Sequence, residues 1–464
     1  MEGPAGCDDA VTARGNRGTR VNRKFCVLLV TALSLGLGAA ARAQTIAITG
    51  ARLLTVTHGV IENGTVLVEN GKITGIGGDV RVPAGARVID ARGKVVMPGM
   101  IDAGDQLGLV EIPAEQITND STEYTDPIHP ELRVLDALNP QSENIRVARS
   151  AGVTNAVSTP AAGNLIAGQS AVIRLDGGTV SEMVVKSPVA LAVNIGESSK
   201  ETYRLRQKAP GTRMGEMAVL RQQFLGAQHY KAEQDAYANK QGEKKPEGDA
   251  GAKPGPAAKP SAPPARELKM EALVDALDGR LPVVVRADRV SDIEMALRLA
   301  DEFHLRLILA DATSAWRLAD TLAARKIPVI VGPILEEPNR MESVDVRLDN
   351  AARLYRAGVP IAIETQSDNQ VRDLPFDVEY AIGNGLPDQA ALEAVTINPA
   401  RLFGFDDRLG SLEVGKDATL IVLDGPPFRI KTHVVTELID GKVVDLSNHQ
   451  TALYDIYKKK YGIQ

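Results

Sequence analysis

The sequence predicts an α/β protein: a (β/α)8 barrel of the TIM type carrying a small β-sandwich built from both chain ends. Three observations lead there. Apolar strand-like segments alternate with amphipathic helical ones through the middle of the chain, the pattern of a parallel sheet covered by helices. Short β-branched runs separated by glycine turns flank that middle on both sides, and neither set is large enough to bury a face alone. No glycine-rich dinucleotide fingerprint follows a strand, which argues against a doubly wound open sheet.

Residues 1–43 read as an export leader. Arg23-Lys24 is positive, residues 25–41 are mostly apolar, and Ala41-Arg42-Ala43 gives a small-residue cleavage pattern before Gln44. That is the three-part order of a secretory signal peptide. The run is short for a membrane span, and no later stretch reads as one. A periplasmic or secreted protein is therefore expected. The leader carries both cysteines, Cys7 and Cys26, and setting it aside takes the net charge from -6 to -9. Thiol chemistry and thiolate ligands are then excluded. The acidic balance argues against nucleic acid as a partner.

Residues 44–97 supply the first part of the sandwich. Strands are expected at 46–48, 52–56, 65–68 and 72–76, with Asn63-Gly64 and Asn70-Gly71 as hairpin turns between them. Residues 404–446 supply the second part, with strands at 418–423, 434–439 and 442–444 and a turn at Asp440-Gly441. The barrel takes 98–403. Its candidate strands are 153–157, 189–193, 282–286, 306–309, 328–331 and 360–363, and helical patterns cover 291–303, 316–325 and 346–356. Residues 240–266 are rich in Pro, Ala, Lys and Gly and have no periodic apolar face, so a flexible surface insertion is expected there. Residues 447–464 form a C-terminal tail.

The run Val95-Val96-Met97-Pro98-Gly99-Met100-Ile101-Asp102-Ala103 resembles the approach to the first barrel strand in the amidohydrolase superfamily. Residues 135–140 (LDALNP), 151–154, 163–174 (GNLIAGQSAVIR), 209–220 and 297–309 are similar to further segments of that group. Residues 394–423 (AVTINPARLFGFDDRLGSLEVGKDATLIVL) resemble the helix after the last barrel strand and its return into the β-layer. The likeness is to imidazolonepropionase-like and prolidase-like members and covers roughly 45–445. It implies a (β/α)8 barrel with a β-sandwich and hydrolysis of C–N bonds in amides, cyclic amides or dipeptides. It also implies a Zn-type divalent metal that activates water, and an aspartate after strand eight that handles its proton.

The positions that the resemblance assigns to those groups hold other residues. The H-x-H after strand one falls on Gly104 and Gln106. The histidine after strand five falls in the segment holding Arg286 and Asp288, and that after strand six falls on Asp311. The aspartate after strand eight is Gln366, and the lysine near strand four is Ala192. None of the six histidines (His58, His129, His229, His304, His433, His449) stands at any of these places. Glycine has no side chain, a guanidinium has only donors, and an amide accepts no proton near neutral pH. The expectation is a catalytically silent homologue with no catalytic residue and no resident metal.

In that reading Arg286 replaces the metal as the local cation. Asp288 and Asp311 are its counter-charges, because a buried charge needs partners and a fork-shaped donor suits two carboxylates. Gln106 and Gln366 complete the hydrogen bonds. Arg286 and Asp288 are two apart and share a face if the strand continues. The rival is an oxygen-rich Ca or Mg site made of Asp288, Asp311, Gln106 and Gln366, which Arg286 opposes electrostatically. Asp105 and Asp368 are further carboxylates, and Asp105 is expected to alternate away from the mouth. A metal-dependent hydrolase working through a rearranged site is the alternative function. Expected partners are a small ligand, a related active amidohydrolase subunit, or a second copy of the chain. His129 is expected in a surface loop, His304 at a helix C-terminus and Ser170 in a glycine turn. Lys186, Arg213 and Glu111 either line a residual pocket or form ion pairs.

Overall fold

The computed structural model describes residues 45–242, 263–338 and 340–463. The leader expected at 1–43 and most of the 240–266 stretch lie outside the described residues. Of that stretch, 240–242 extend the helix Arg213–Gly242, and 263–266 carry neither helix nor strand.

The chain ends build one sheet. Its strands are β1 (Ile46–Leu54), β2 (Val60–Glu69), β3 (Lys72–Gly77), β4 (Arg87–Asp90), β5 (Val95–Pro98), β14 (Leu420–Leu423), β15 (Val434–Ile439) and β16 (Lys442–Val443). The order is β16-β15-β14-β5-β1-β2-β3, with β4 pairing β1. Ile48, Leu53, Val66, Val96, Leu420 and Leu438 are buried in one cluster drawn from both ends of the chain. The Asn70-Gly71 turn forms as expected, with φ of 51° and 80°. Asn63-Gly64 does not turn the chain. It lies inside β2, where the register with β1 shifts, and Asn63 takes a φ of 52°. Asparagine tolerates the left-handed region in a bulge as readily as in a turn. The reversal falls at 55–59 instead.

The second sheet is a nearly closed eight-stranded barrel of β6 (Met100–Asp105), β7 (Val153–Ser158), β8 (Ile166–Arg174), β9 (Val184–Asn194), β10 (Val283–Arg286), β11 (Leu307–Ala310), β12 (Val329–Val331) and β13 (Ile361–Ile363). The backbone N–H of Gln366 donates to the Gly104 carbonyl at 3.0 Å, and that of Gln106 to the Ser367 carbonyl at 3.0 Å. These bonds join the first and last strands at the mouth. One departure from an all-parallel barrel is β8, which runs antiparallel to both β7 and β9. The links on either side of β8 are too short for a parallel crossover, which needs a dozen residues or more.

Period-two alternation sorts the barrel residues. Val284, Ile308, Ala310, Ile330 and Ala362 fill the inside. Val283, Val285, Leu307, Leu309, Ile361 and Ile363 face the helices. Two steps beyond Val284 and Ala362 this phase brings Arg286 and Glu364 inward at the mouth.

The helix expected at 291–303 spans Val290–Phe303 and ends on His304, whose φ of 54° is a left-handed C-cap. The pattern at 316–325 divides into a 3-10 turn, Ala315–Leu318, and a helix, Ala319–Ala324. The tail forms a helix, His449–Tyr461. Among the described residues no helix is long and apolar enough to cross a membrane.

Candidate functional site

Arg286 ends β10 inside the barrel mouth and is buried. Its Nε lies 3.2 Å from Asp311 Oδ1 and its Nη2 lies 3.4 Å from Glu364 Oε2. Nη1 donates to the Pro160 carbonyl at 3.3 Å. Burial disfavours its charge, but Glu364 and Asp311 outweigh that, and the guanidinium is held above its ordinary value. Glu364 Oε1 in turn accepts the backbone N–H of Asp311 at 3.2 Å. Asp311 departs from the strand alternation because its backbone is left-handed, with a φ of 60°. Gln366, also left-handed, donates from Nε2 to Asp311 Oδ1.

Beneath this lies a second layer of carboxyls. Asp102 is fully buried and accepts from Thr365 Oγ1 at 2.5 Å and from the Gly104 N–H at 3.0 Å. Asp105 is fully buried and accepts the Leu107 N–H at 2.9 Å, while its Oδ2 has no hydrogen-bond partner. Burial pushes Asp105 up to about 7, opposed by the Leu107 bond, with Glu364 pushing it further and Arg286 pulling it back. Burial also drives Asp102 and Glu364 well above the usual carboxylate range. Two carboxyls, Asp311 and Glu364, thus pair with the guanidinium, and Asp102 and Asp105 are buried close to Glu364. Burial favours the protonated form of Asp102, Asp105 and Glu364, because a carboxylate taken out of water loses its hydration.

Arg286, Asp311 and Gln366 come together as expected. Asp288 does not join them. The strand ends at Arg286, so the alternation that would have placed both on one face stops there. Asp288 Oδ1 accepts from Thr313 Oγ1 at 2.6 Å, and its Oδ2 lies 3.7 Å from Arg340 Nη2. Burial and then Asp311 push it up to about 7. The second counter-charge of Arg286 is Glu364, which strand phase from Ala362 would have revealed. Gln106 enters through its backbone; its amide makes no hydrogen bond to the described residues. Asp105 faces inward, contrary to the expected alternation. Ile101 and Ala103 belong to the inner cluster, and Asp105 follows them at period two.

Gly104 marks where the family's first-strand ligand would stand. A Cβ there would lie 2.0 Å from Glu364 Oε2, with Arg286 Nη2 at 3.5 Å. A histidine at 104 would overlap the charge network. Among the described residues no group of three or more His, Cys, Asp or Glu is placed to hold a metal ion. A Zn-type metal does not fit this donor set. Nor is the oxygen-ligand alternative well served: Asp311 is engaged with Arg286 and Gln366, and Asp288 with Thr313 and Arg340.

A cavity of about 800 Å³ is lined by Thr122, Gly163, Glu197, Ser198, Lys200 and Arg340, among others, and by none of the network residues. Arg340 reaches from it to Asp288 and to Glu336, the latter at 3.1 Å. Arg213 forms an ion pair, not a pocket wall: Nε and Nη2 hold Asp292 at 2.5 and 2.7 Å, and Nη2 holds Glu342 at 2.5 Å. Lys186 donates to the Phe403 and Gly404 carbonyls, each at 2.8 Å. Glu111 accepts from Asn139. His129 is buried rather than on the surface, with Nδ1 3.2 Å from Glu131. Ser170 lies in β8, its hydroxyl donating to Thr159.

This fold and this mouth define an amidohydrolase-type barrel, and comparison with known proteins agrees. The Amidohydrolase family model matches residues 295–447. The crystal structure of an amidohydrolase from Thermotoga maritima MSB8 is similar with a TM-score of 0.78 and 33% identity, covering 86% of this chain and 99% of that one. Amidohydrolase tasK of Hapsidospora irregularis is 28% identical over 82% of this chain. Imidazolonepropionase of Symbiobacterium thermophilum is 24% identical over 82% of this chain and 89% of its own length. The chain belongs to the amidohydrolase family, whose reaction class is hydrolysis of C–N bonds. It spans 39% of the length of the tasK relative.

Proposed function

We propose that this is an exported amidohydrolase homologue that has exchanged metal-assisted hydrolysis for a fixed charge network. It acts by binding a small ligand at the barrel mouth or as the non-catalytic partner of a related active subunit. One observation carries the reading: the buried Arg286 guanidinium stands between Asp311 and Glu364 at the barrel mouth. A guanidinium is a permanent cation with donors only. It supplies the charge that the carboxyls need, but no coordination site for water.

A second reading is hydrolysis through a rearranged site. It is favoured by Asp288, a carboxyl raised to about 7 by burial and paired with Arg340, which lines the cavity; a general acid–base is best poised near that value. Elemental analysis of the leader-free protein, together with assays on dipeptides and cyclic amides, separates the two. Substoichiometric metal and no turnover are expected. One metal per chain, with turnover lost in Asp288→Ala or Asp311→Ala, would establish the second reading instead.

A further inference from the structure

The cavity that Arg340 lines has a short strap along one wall. Residues 340–345 follow β12 and end in a 3-10 turn, Ser343–Asp345. They bury two side chains, Glu342 and Ser343, both polar, while the apolar Met341 and Val344 stand 71% and 62% exposed. Ser343 Oγ bonds to the Arg340 backbone, inside the strap itself. Apolar burial therefore contributes little to its attachment, and polar contacts hold it. Segments held in this way open at low cost.

The contacts reach the helix Glu197–Arg204, whose residues Glu197 and Ser198 also line the cavity. Arg340 Nη1 donates to Ser198 Oγ at 3.1 Å, and its Nη2 lies 3.1 Å from Glu336 and 3.7 Å from Asp288. Glu342 Oε1 accepts the Glu197 N–H at 2.6 Å and Arg213 Nη2 at 2.5 Å. Its carboxyl rests on Gly196, where a Cβ would fall 2.5 Å from Oε1. At the outer end Asp345 accepts from Arg317 Nη2 at 2.8 Å. The cations near Glu342 are already engaged. Arg213 gives Nε and Nη2 to Asp292, Arg340 serves Glu336 and Asp288, and Lys200 acts on Glu216. Glu197, Asp288 and Asp292 face Glu342 with charge of its own sign, and Asp311 stands against Asp288 and Glu336. An ionised Glu342 is thus a surplus buried anion in this seam. As the neutral acid it keeps both bonds, because both fall on Oε1 and the proton sits on Oε2. Burial, then Glu197 and Asp288, push it up to about 8.

We propose that residues 340–345 are a proton-governed strap on the cavity wall, fastened to the helix Glu197–Arg204 while Glu342 carries a proton and released when that proton is lost. Release withdraws Arg340 from the cavity and from Asp288. The loss of the proton is favoured once the strap is free, because Glu342 in water returns to its ordinary value, and that coupling drives the opening. The inference stands whether the mouth binds a ligand or turns over substrate.

Spin labelling tests it. The leader-free chain contains no cysteine, since Cys7 and Cys26 both precede residue 44. A nitroxide on Met341→Cys therefore reports the strap alone, and one on Arg298→Cys, exposed in the helix Val290–Phe303, serves as control. The ratio of mobile to immobile label at 341 is expected to rise by on the order of tenfold per pH unit from about pH 6 and to level off above about 8. Glu342→Gln keeps the acceptor oxygen and cannot ionise, so its label stays immobile throughout. Glu342→Ala removes the acceptor and frees the label at every pH. Circular dichroism checks that each variant is folded. A parent label indifferent to pH overturns the inference. So does a rise that persists in Glu342→Gln, an immobile label in Glu342→Ala, or equal loosening at 298, which would be general unfolding.

Discussion

Arg286 Nη2 stands 3.4 Å from Glu364 Oε2, and both side chains are buried inside the barrel mouth. Removing one member of such a pair leaves an uncompensated charge and costs about 3–5 kcal/mol. Arg286→Met is therefore expected to lower stability by about that amount in urea denaturation. Glu364→Gln is expected to cost less, because burial already holds this carboxyl toward its neutral form. The double variant Arg286→Met with Glu364→Leu should recover much of the loss. A double variant as unstable as the two singles summed would show that the residues do not act as a pair.

Gly104 tests whether the network excludes the family's ligand. Its absent Cβ would fall 2.0 Å from Glu364 Oε2. Gly104→His should cost at least about 1–3 kcal/mol by overpacking and should bind no zinc. Combining it with Glu364→Ala removes the clash, so part of the stability lost to crowding should return. Thermal melts with and without zinc read both outcomes. A stable single variant that takes up zinc stoichiometrically would mean the mouth still accepts a metal.

Much of this was legible beforehand, and the failures have physical causes. The inward Arg286 and its ion pair with Asp311 followed from spacing and from the positions that the family resemblance assigns. Glu364 was missed although it lies two residues beyond Ala362 on the same strand face. Asp288 was misassigned because β10 stops at Arg286, and sequence does not mark where alternation ends. Asp105 was turned the wrong way because its phase was taken from Gly104 and Gln106, whereas it follows the inward Ile101 and Ala103 at period two. The left-handed backbone at Asp311, which carries its carboxylate to the arginine, is equally silent in the sequence.

The proposed leader gives a direct prediction. Expressed from the full chain, the protein should appear outside the cytoplasm with Gln44 as its first residue, read by intact mass. Ala43→Arg should block processing, because the cleavage site requires small residues. A cytoplasmic product retaining residues 1–43 would sink the assignment.

Asp377 offers the clearest pH test, because it lies away from the arginine cluster. Its carboxyl is buried and accepts the Leu335 N–H at 3.2 Å. Burial pushes it from 3.8 to about 7. The folded state thus holds a proton that the unfolded chain has already released. Its stabilising contribution is complete below 3.8, declines as pH rises, and is lost as pH passes about 7. Asp105, Asp288 and Glu216, each raised to about 7, and Glu342, raised to about 8, act in the same direction. The melting temperature should therefore fall from mildly acidic to mildly alkaline pH. Asp377→Asn keeps an acceptor for the Leu335 N–H and cannot ionise. At alkaline pH it should be more stable than the parent by up to about 4 kcal/mol, with the difference vanishing in acid. Parallel stability–pH curves for parent and variant would show that this carboxyl is not titrating in the folded protein as its burial requires.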